Sequence, residues 1–217
     1  MMTPKYILRL LHRRAIVMLT ITAMLVSLAP RFIAPAWADE PMSVVKTTVD
    51  QALEVLRDKQ TPLAQRQDRL RQIVAQTFDF TEMAKSALGY HWKELTPAQQ
   101  QEFTTAFVAF IEDSYLSKIN DYRGQQVTFL RVSNEGAQYS QVATDIIQPK
   151  GDAIHVNYRL VQEGSTWKIY DVTVDAISII ANYRNQFNRV MNNKGYNTLI
   201  ADLKAKQAAL AASLANH

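Results

Sequence analysis

The chain has 217 residues, no cysteine, and 24 Lys and Arg against 20 Asp and Glu. Without cysteine there is no disulfide framework, no thiol nucleophile and no Cys-based metal site. Five of the basic residues and none of the acidic ones fall in residues 1–38, so residues 39–217 carry 19 against 20, a net charge of −1. That balance lacks the basic excess that nucleic-acid binding needs.

Lys5, Arg9, Arg13 and Arg14 open the chain, Ala15 to Ala29 is uncharged, and Ala36-Trp37-Ala38 is a small-x-small sequence. This pattern predicts a secretory signal cleaved after Ala38, because about fifteen apolar residues fall short of the roughly 20 that span a bilayer. An uncleaved anchor is the rival reading. Removal of residues 1–38 leaves one exported domain, 39–217, long enough for a sizeable core. The expected compartment is a bacterial periplasm.

Val45, Val49, Ala52, Leu53 and Leu56 recur at helical spacing from Met42 to about Arg57. Pro62 suits the first turn of a second helix through Leu63, Leu70, Ile73 and Val74. A short piece from Phe78 to Leu88 stops at Gly89. Thr96-Pro97-Ala98-Gln99 has the capping-box pattern, and the helix it opens carries Phe103, Phe107, Phe110 and Ile111 on one side. After Gly124 the period becomes two, with strands at Val127–Val132, Tyr139–Ile147 and Ala153–Gln162. In the third, Ile154, Val156, Tyr158 and Leu160 share a face opposite His155, Asn157 and Arg159, as in an antiparallel meander. The fourth strand holds Trp167 and Ile169, then turns at Asp175, read as the N-cap of a helix through Ile177, Ile180, Ala181, Arg184 and Phe187. Asn197 to Leu214 is a last, weakly apolar helix. The expectation is an α+β domain: N-terminal helices on a four-stranded antiparallel sheet, followed by C-terminal helices.

Catalytic motifs are scarce. There is no G-x-S-x-G, H-E-x-x-H, P-loop or Cys/His metal spacing, so no catalytic residue, metal or cofactor is expected. His155 reads as solvated and His91, between Tyr90 and Trp92, as a packing or capping group. Asp171 and Asp175 share a strand face but lie about 13 Å apart at ~3.3 Å per residue, too far to share a proton. Asp171 alone, in an apolar setting, is the candidate for an isomerase- or hydrolase-like enzyme.

What remains is apolar surface. Phe103, Phe107, Phe110, Ile111, Ile177, Ile180 and Phe187 face a sheet carrying Val142, Ile146, Ile154, Val156, Tyr158, Leu160, Trp167 and Ile169. These residues build either a close-packed core, as in a protein-binding adaptor, or a cavity for an apolar ligand; periodicity leaves both open.

Two stretches carry a resemblance. Phe78-Asp79-Phe80 through Ala87-Leu88-Gly89-Tyr90-His91-Trp92, with Leu95-Thr96-Pro97-Ala98-Gln99-Gln100 and Phe103, resembles the N-terminal signature of the MlaC family. Trp167-Lys168-Ile169-Tyr170-Asp171-Val172, Ser178, Asn182-Tyr183-Arg184-Asn185-Gln186-Phe187 and Gly195 resemble its C-terminal signature. Val174-Asp175-Ala176 departs from the family's Val-Glu-Gly-like turn. The resemblance implies a fold related to nuclear transport factor 2-like domains. It also implies a periplasmic carrier that shelters phospholipid acyl chains and leaves the head group outside. Such a carrier exchanges cargo with an outer-membrane lipoprotein–porin complex and an inner-membrane ABC transporter bearing an MCE-domain protein, and so maintains outer-membrane lipid asymmetry. A monomer is the expected state for a shuttle. Tyr183, Arg184, Gln186 and Arg189 read either as a docking face or as a solvated helix side. Incidental binding of small aromatic solvents follows from the family's toluene-tolerance name.

Overall fold

Two clusters of buried side chains form, one mainly among the helices and one between the sheet and a single helix, in the computed structural model, which describes residues 40–116 and 121–215. The expected signal and its expected cleavage site lie outside the described residues. All described residues belong to one unit, Trp37–His217.

Helix α1 spans Glu40–Arg57, α2 Leu63–Thr77 and α3 Phe80–Leu88. Asp79 caps α3, accepting the Glu82 N–H at 2.8 Å. The helix ends at Gly89, whose φ of 59° is easily reached only without a side chain. A Cβ there would lie 3.4 Å from the Arg184 side chain. A 3-10 turn, Gly89–Glu94, leads to α4, Pro97–Leu116. Its capping box forms as the sequence predicts: Gln99 N–H donates to Thr96 Oγ1 at 3.3 Å and Thr96 N–H to Gln99 Oε1 at 2.9 Å.

Strands β1 (Gln126–Asn134), β2 (Tyr139–Ile147), β3 (Ile154–Glu163) and β4 (Thr166–Val174) pair in chain order, all antiparallel. The expected four strands are joined by a fifth, β5, of two residues, Ile177–Ser178, paired back on β4. The reason is local. Asp175 and Ala176 have φ of 45° and 66°, so the chain reverses in two residues and Val174 faces Ile177 before any helix begins. Asp175 is therefore not the helix N-cap. Ser178 is, accepting the Ala181 N–H at 2.9 Å, while Asp175 accepts the His155 N–H at 3.1 Å. Helices α5 (Ile179–Lys194) and α6 (Tyr196–Ala215) complete the chain.

Half of β4 would be an unpaired edge beyond β5. Phe78 covers it through a parallel bridge to Ile169, with Asp79 N–H donating to Ile169 O at 2.9 Å. One cluster joins α3, α4, α5 and α6, with Phe103, Phe107, Tyr183 and Phe187 in ring contact at 5.6–5.9 Å. The other seats Val45 of α1 on Val142, Leu160, Trp167 and Ile169.

Candidate functional site: an apolar cavity on one face of the sheet

The same sheet face divides into a filled end and an open end. Register places Val142, Leu160, Trp167 and Ile169 at the end that α1 covers. Further along the same rows come Ile146, Val156, Tyr158, Val172 and Val174, and there the helices stand off. Leu70 and Val74 of α2, Phe80 and Met83 of α3, and Ile111 and Leu116 of α4 form the opposite wall. The space, open to solvent at its rim, is about 370 Å³, towards the lower end of the roughly 300–1,000 Å³ typical of ligand pockets. It lies between the two clusters: Met83 and Ile111 belong to one, Tyr158 and Val172 pack on the other, and Phe78 packs on both.

The wall is almost wholly apolar. Its few polar groups are the Tyr158 and Tyr115 phenols and the Arg71 and Glu112 side chains. Burial pushes both phenols up to about 12 and raises the Glu112 carboxyl above its ordinary value. Among the described residues the lining offers no activated nucleophile and no paired acid and base. It can shelter hydrocarbon. The rim carries exposed apolar groups: Tyr115 and Val174 line it, and Ile177, 66 % exposed, pairs with Val174.

Of the fifteen residues proposed to line a cavity, Ile111, Ile146, Val156 and Tyr158 do so. Phe103, Phe107, Phe110, Ile180 and Phe187 instead fill the helical cluster, and Val142, Leu160, Trp167 and Ile169 the one beneath α1. Ile154, paired with the lining residue Ile146, is half-buried and does not itself line the cavity, and Ile177 lies in β5, outside the helix and exposed. The difference has a physical cause. Helix α4 buries residues on two sides, so helical period identifies inward positions without saying which layer they enter. Leu70, Val74, Phe78, Phe80 and Met83 were visible as apolar positions but had no signal that placed them opposite the sheet.

The other sequence candidates sit elsewhere. Asp171 is 4 % exposed and does not line the cavity; it accepts from Ser178 Oγ at 2.6 Å and from the Ile180 N–H at 3.2 Å, anchoring the start of α5. His91 is buried with Nδ1 2.7 Å from Glu94, and His155 is exposed with Nδ1 2.6 Å from Asp145. On α5, Tyr183 packs its ring on Phe107, Phe110 and Phe187. Arg184 Nε donates to Ser86 O at 2.6 Å, closing the end of α3. Gln186 and Arg189 are the exposed pair of that set. Among the described residues no group of acidic or His side chains could hold a metal ion, and no helix is long and apolar enough to cross a membrane.

Fold and site together define an α+β protein whose antiparallel sheet and helices enclose an apolar cavity. The MlaC protein family model matches residues 46–205, and the chain belongs to that family. It is 22 % identical over 172 residues to the intermembrane phospholipid transport system binding protein MlaC of Haemophilus influenzae, covering 76 % of this chain and 80 % of that one. It is 26 % identical over 129 residues to the toluene tolerance protein ttg2D of Pseudomonas putida, covering 59 % of this chain and 60 % of that one. A phospholipid-binding protein of Ralstonia solanacearum, solved in complex with a phospholipid, shares the fold with a TM-score of 0.70 and 24 % identity, over 78 % of this chain and 97 % of that chain.

Proposed function

We propose that the protein is a periplasmic phospholipid carrier, exported by residues 1–38, that holds acyl chains in the cavity between sheet and helices. The observation that carries this is the cavity: apolar on both walls, continuous with an apolar rim, and bordered among the described residues by no catalytic constellation. The relatives' names as phospholipid-binding and phospholipid-transport proteins support the same reading. Burial is worth about 0.8 kcal/mol per methylene, so two chains of some sixteen carbons gain of order 20 kcal/mol gross. Chain ordering and cavity filling reduce this, yet spontaneous loss into water stays very slow. Release therefore requires a partner that offers another apolar path. The partners of this reading are an inner-membrane ABC transporter with its MCE-domain protein and an outer-membrane lipoprotein–porin complex. The outcome of the exchange is an outer leaflet kept free of phospholipid.

A space of 370 Å³ is small for two long chains, so loading widens the gap between α2–α4 and the sheet. Mass spectrometry of an organic extract of the purified protein tests the reading. Phospholipid near one molecule per chain supports it. A lipid-free extract, with no uptake from vesicles, favours a protein-binding adaptor instead.

A further inference from the structure

Helix α2 forms part of the cavity wall yet contributes a residue to neither buried cluster. Its Leu70, Ile73 and Val74 are only half-buried, and the residues it does bury are polar, Arg66 and Gln67. Leu70 and Val74 line the cavity along with Ile111 and Leu116 of α4, so the apolar side chains of the two helices meet around open space instead of in a packed core. The ends of α2 are tied to other elements. Thr48 Oγ1 of α1 donates to Thr77 Oγ1 at 3.2 Å, Lys168 of β4 donates to Gln76 O, and in the turn that joins α1 to α2 Asp58 accepts from Thr61 Oγ1 at 2.6 Å.

Between those ends one side chain reaches across to α4. Arg71 Nη2 donates to Asp113 Oδ1 at 3.1 Å, and the other oxygen of buried Asp113 accepts from Gln207 Nε2 of α6 at 2.8 Å. Asp68, three residues back on α2, takes Arg71 Nη1 at 3.1 Å and fixes the direction of the guanidinium. Glu112 does not duplicate the bond, because it stands 4.0 Å from Arg71 Nε, beyond hydrogen-bonding reach. The closed seam also carries a cost. Gln67, one turn before Arg71, is 7 % exposed and faces the space between α2, α4 and α6, and its Nε2 has no hydrogen-bond partner among the described residues. Moving α2 away from α4 returns that amide to water. One charge-assisted hydrogen bond therefore closes the seam and one dry amide opposes it, the near-balance that a two-state element requires.

We propose, resting on the carrier reading above, that α2 is a gate and the Arg71–Asp113 bond its clasp. Helix α2 rolls about α1 and parts from α4 as hydrocarbon enters or leaves, and the bond re-forms once it has passed. Both clusters stay packed through the motion, since α2 belongs to neither. Arg71 and Asp113 then set how fast lipid exchanges, not which lipid is held.

Because the chain has no cysteine, Gln67→Cys supplies a single thiol at the seam. In lipid-free protein that thiol reacts with a maleimide as the seam opens. Adding Asp113→Asn, which keeps the side chain's shape and removes the charge that Arg71 pairs with, raises the labelling rate about tenfold, the factor one charge-assisted hydrogen bond carries. Asp113→Asn in the otherwise native chain releases preloaded phospholipid to excess acceptor vesicles faster by the same factor. Arg71→Gln breaks the bond from its more exposed end and gives both accelerations, so a misfolded Asp113→Asn does not end the test. Thr96→Ala weakens the opposite end of α4; it lowers Tm and leaves both rates at the wild-type value. If Thr96→Ala accelerates them as Asp113→Asn does, general loss of stability is the cause and the gate falls. Labelling unchanged by both clasp variants overturns the clasp and leaves the carrier standing. Faster labelling with unchanged lipid release shows a seam that opens but is not the lipid's path, and also overturns the gate. A wild-type chain that takes up no lipid overturns the carrier and the gate with it.

Discussion

Single side chains decide where the chain stops being sheet and becomes helix. Asp171 uses one carboxylate oxygen on Ser178 Oγ and the other on the Ile180 N–H, so the buried carboxylate fixes the N-cap that in turn holds α5. Asp171→Ala strands both donors and is expected to cost about 2–4 kcal/mol, read as a fall in the denaturant midpoint with an unchanged slope. A loss below about 0.5 kcal/mol contradicts the anchoring role. Ala176, with φ of 66°, occupies a conformation that glycine adopts without strain. Ala176→Gly should stabilise by about 0.5–1 kcal/mol, and a lowered Tm would contradict the strain argument. His155 shows the sign of a third effect. Its hydrogen bond to the Asp145 carboxylate, then the charges of Asp145 and Asp175, raise its pKa above the ordinary 6.5. Protonated His155 is favoured by folding, so its contribution is complete below about pH 6.5 and disappears as pH rises through the folded value. His155→Gln should flatten the stability profile in that window, and a profile identical to wild type would remove the assignment.

At the scale of elements, α4 explains both what the sequence reveals and what it conceals. Its start is written in Thr96-Pro97-Ala98-Gln99, and Thr96→Ala should lower stability by about 1 kcal/mol in a thermal melt. Its two buried sides are not distinguished by period: Phe103 and Phe107 enter the helical cluster, while Ile111 and Leu116 reach the cavity. The sheet was more legible, because alternation assigns a face to every residue; Ile146, Val156 and Tyr158 share one face with Leu160 as expected. Alternation cannot say which stretch of a face α1 covers, since that depends on where a distant helix lands. The β4–β5 reversal was hidden for another reason: Asp175 has good capping chemistry, and only its positive φ shows that it serves a turn. The rim offers a direct perturbation. Val174, 36 % exposed, lines the cavity and has room for a larger side chain. Val174→Trp should reduce phospholipid per chain severalfold in an extract while Tm stays within a few degrees. Full lipid content in that variant would place the chains elsewhere.

For the molecule as a whole, the arrangement is a sheet sealed at one end by α1 and held open at the other by α2, α3 and α4. Two clusters supply stability on either side of the opening, so the cavity is maintained without being filled by the protein's own side chains. The aromatic contacts among Phe103, Phe107, Tyr183 and Phe187 lie in the helical cluster, and none of these four residues lines the cavity. The most direct test of the central claim is a native mass measurement of the purified protein. The account predicts a monomer carrying added mass equal to phospholipid, lost on organic extraction and regained from vesicles. A bare polypeptide mass that stays bare after vesicle incubation would contradict it.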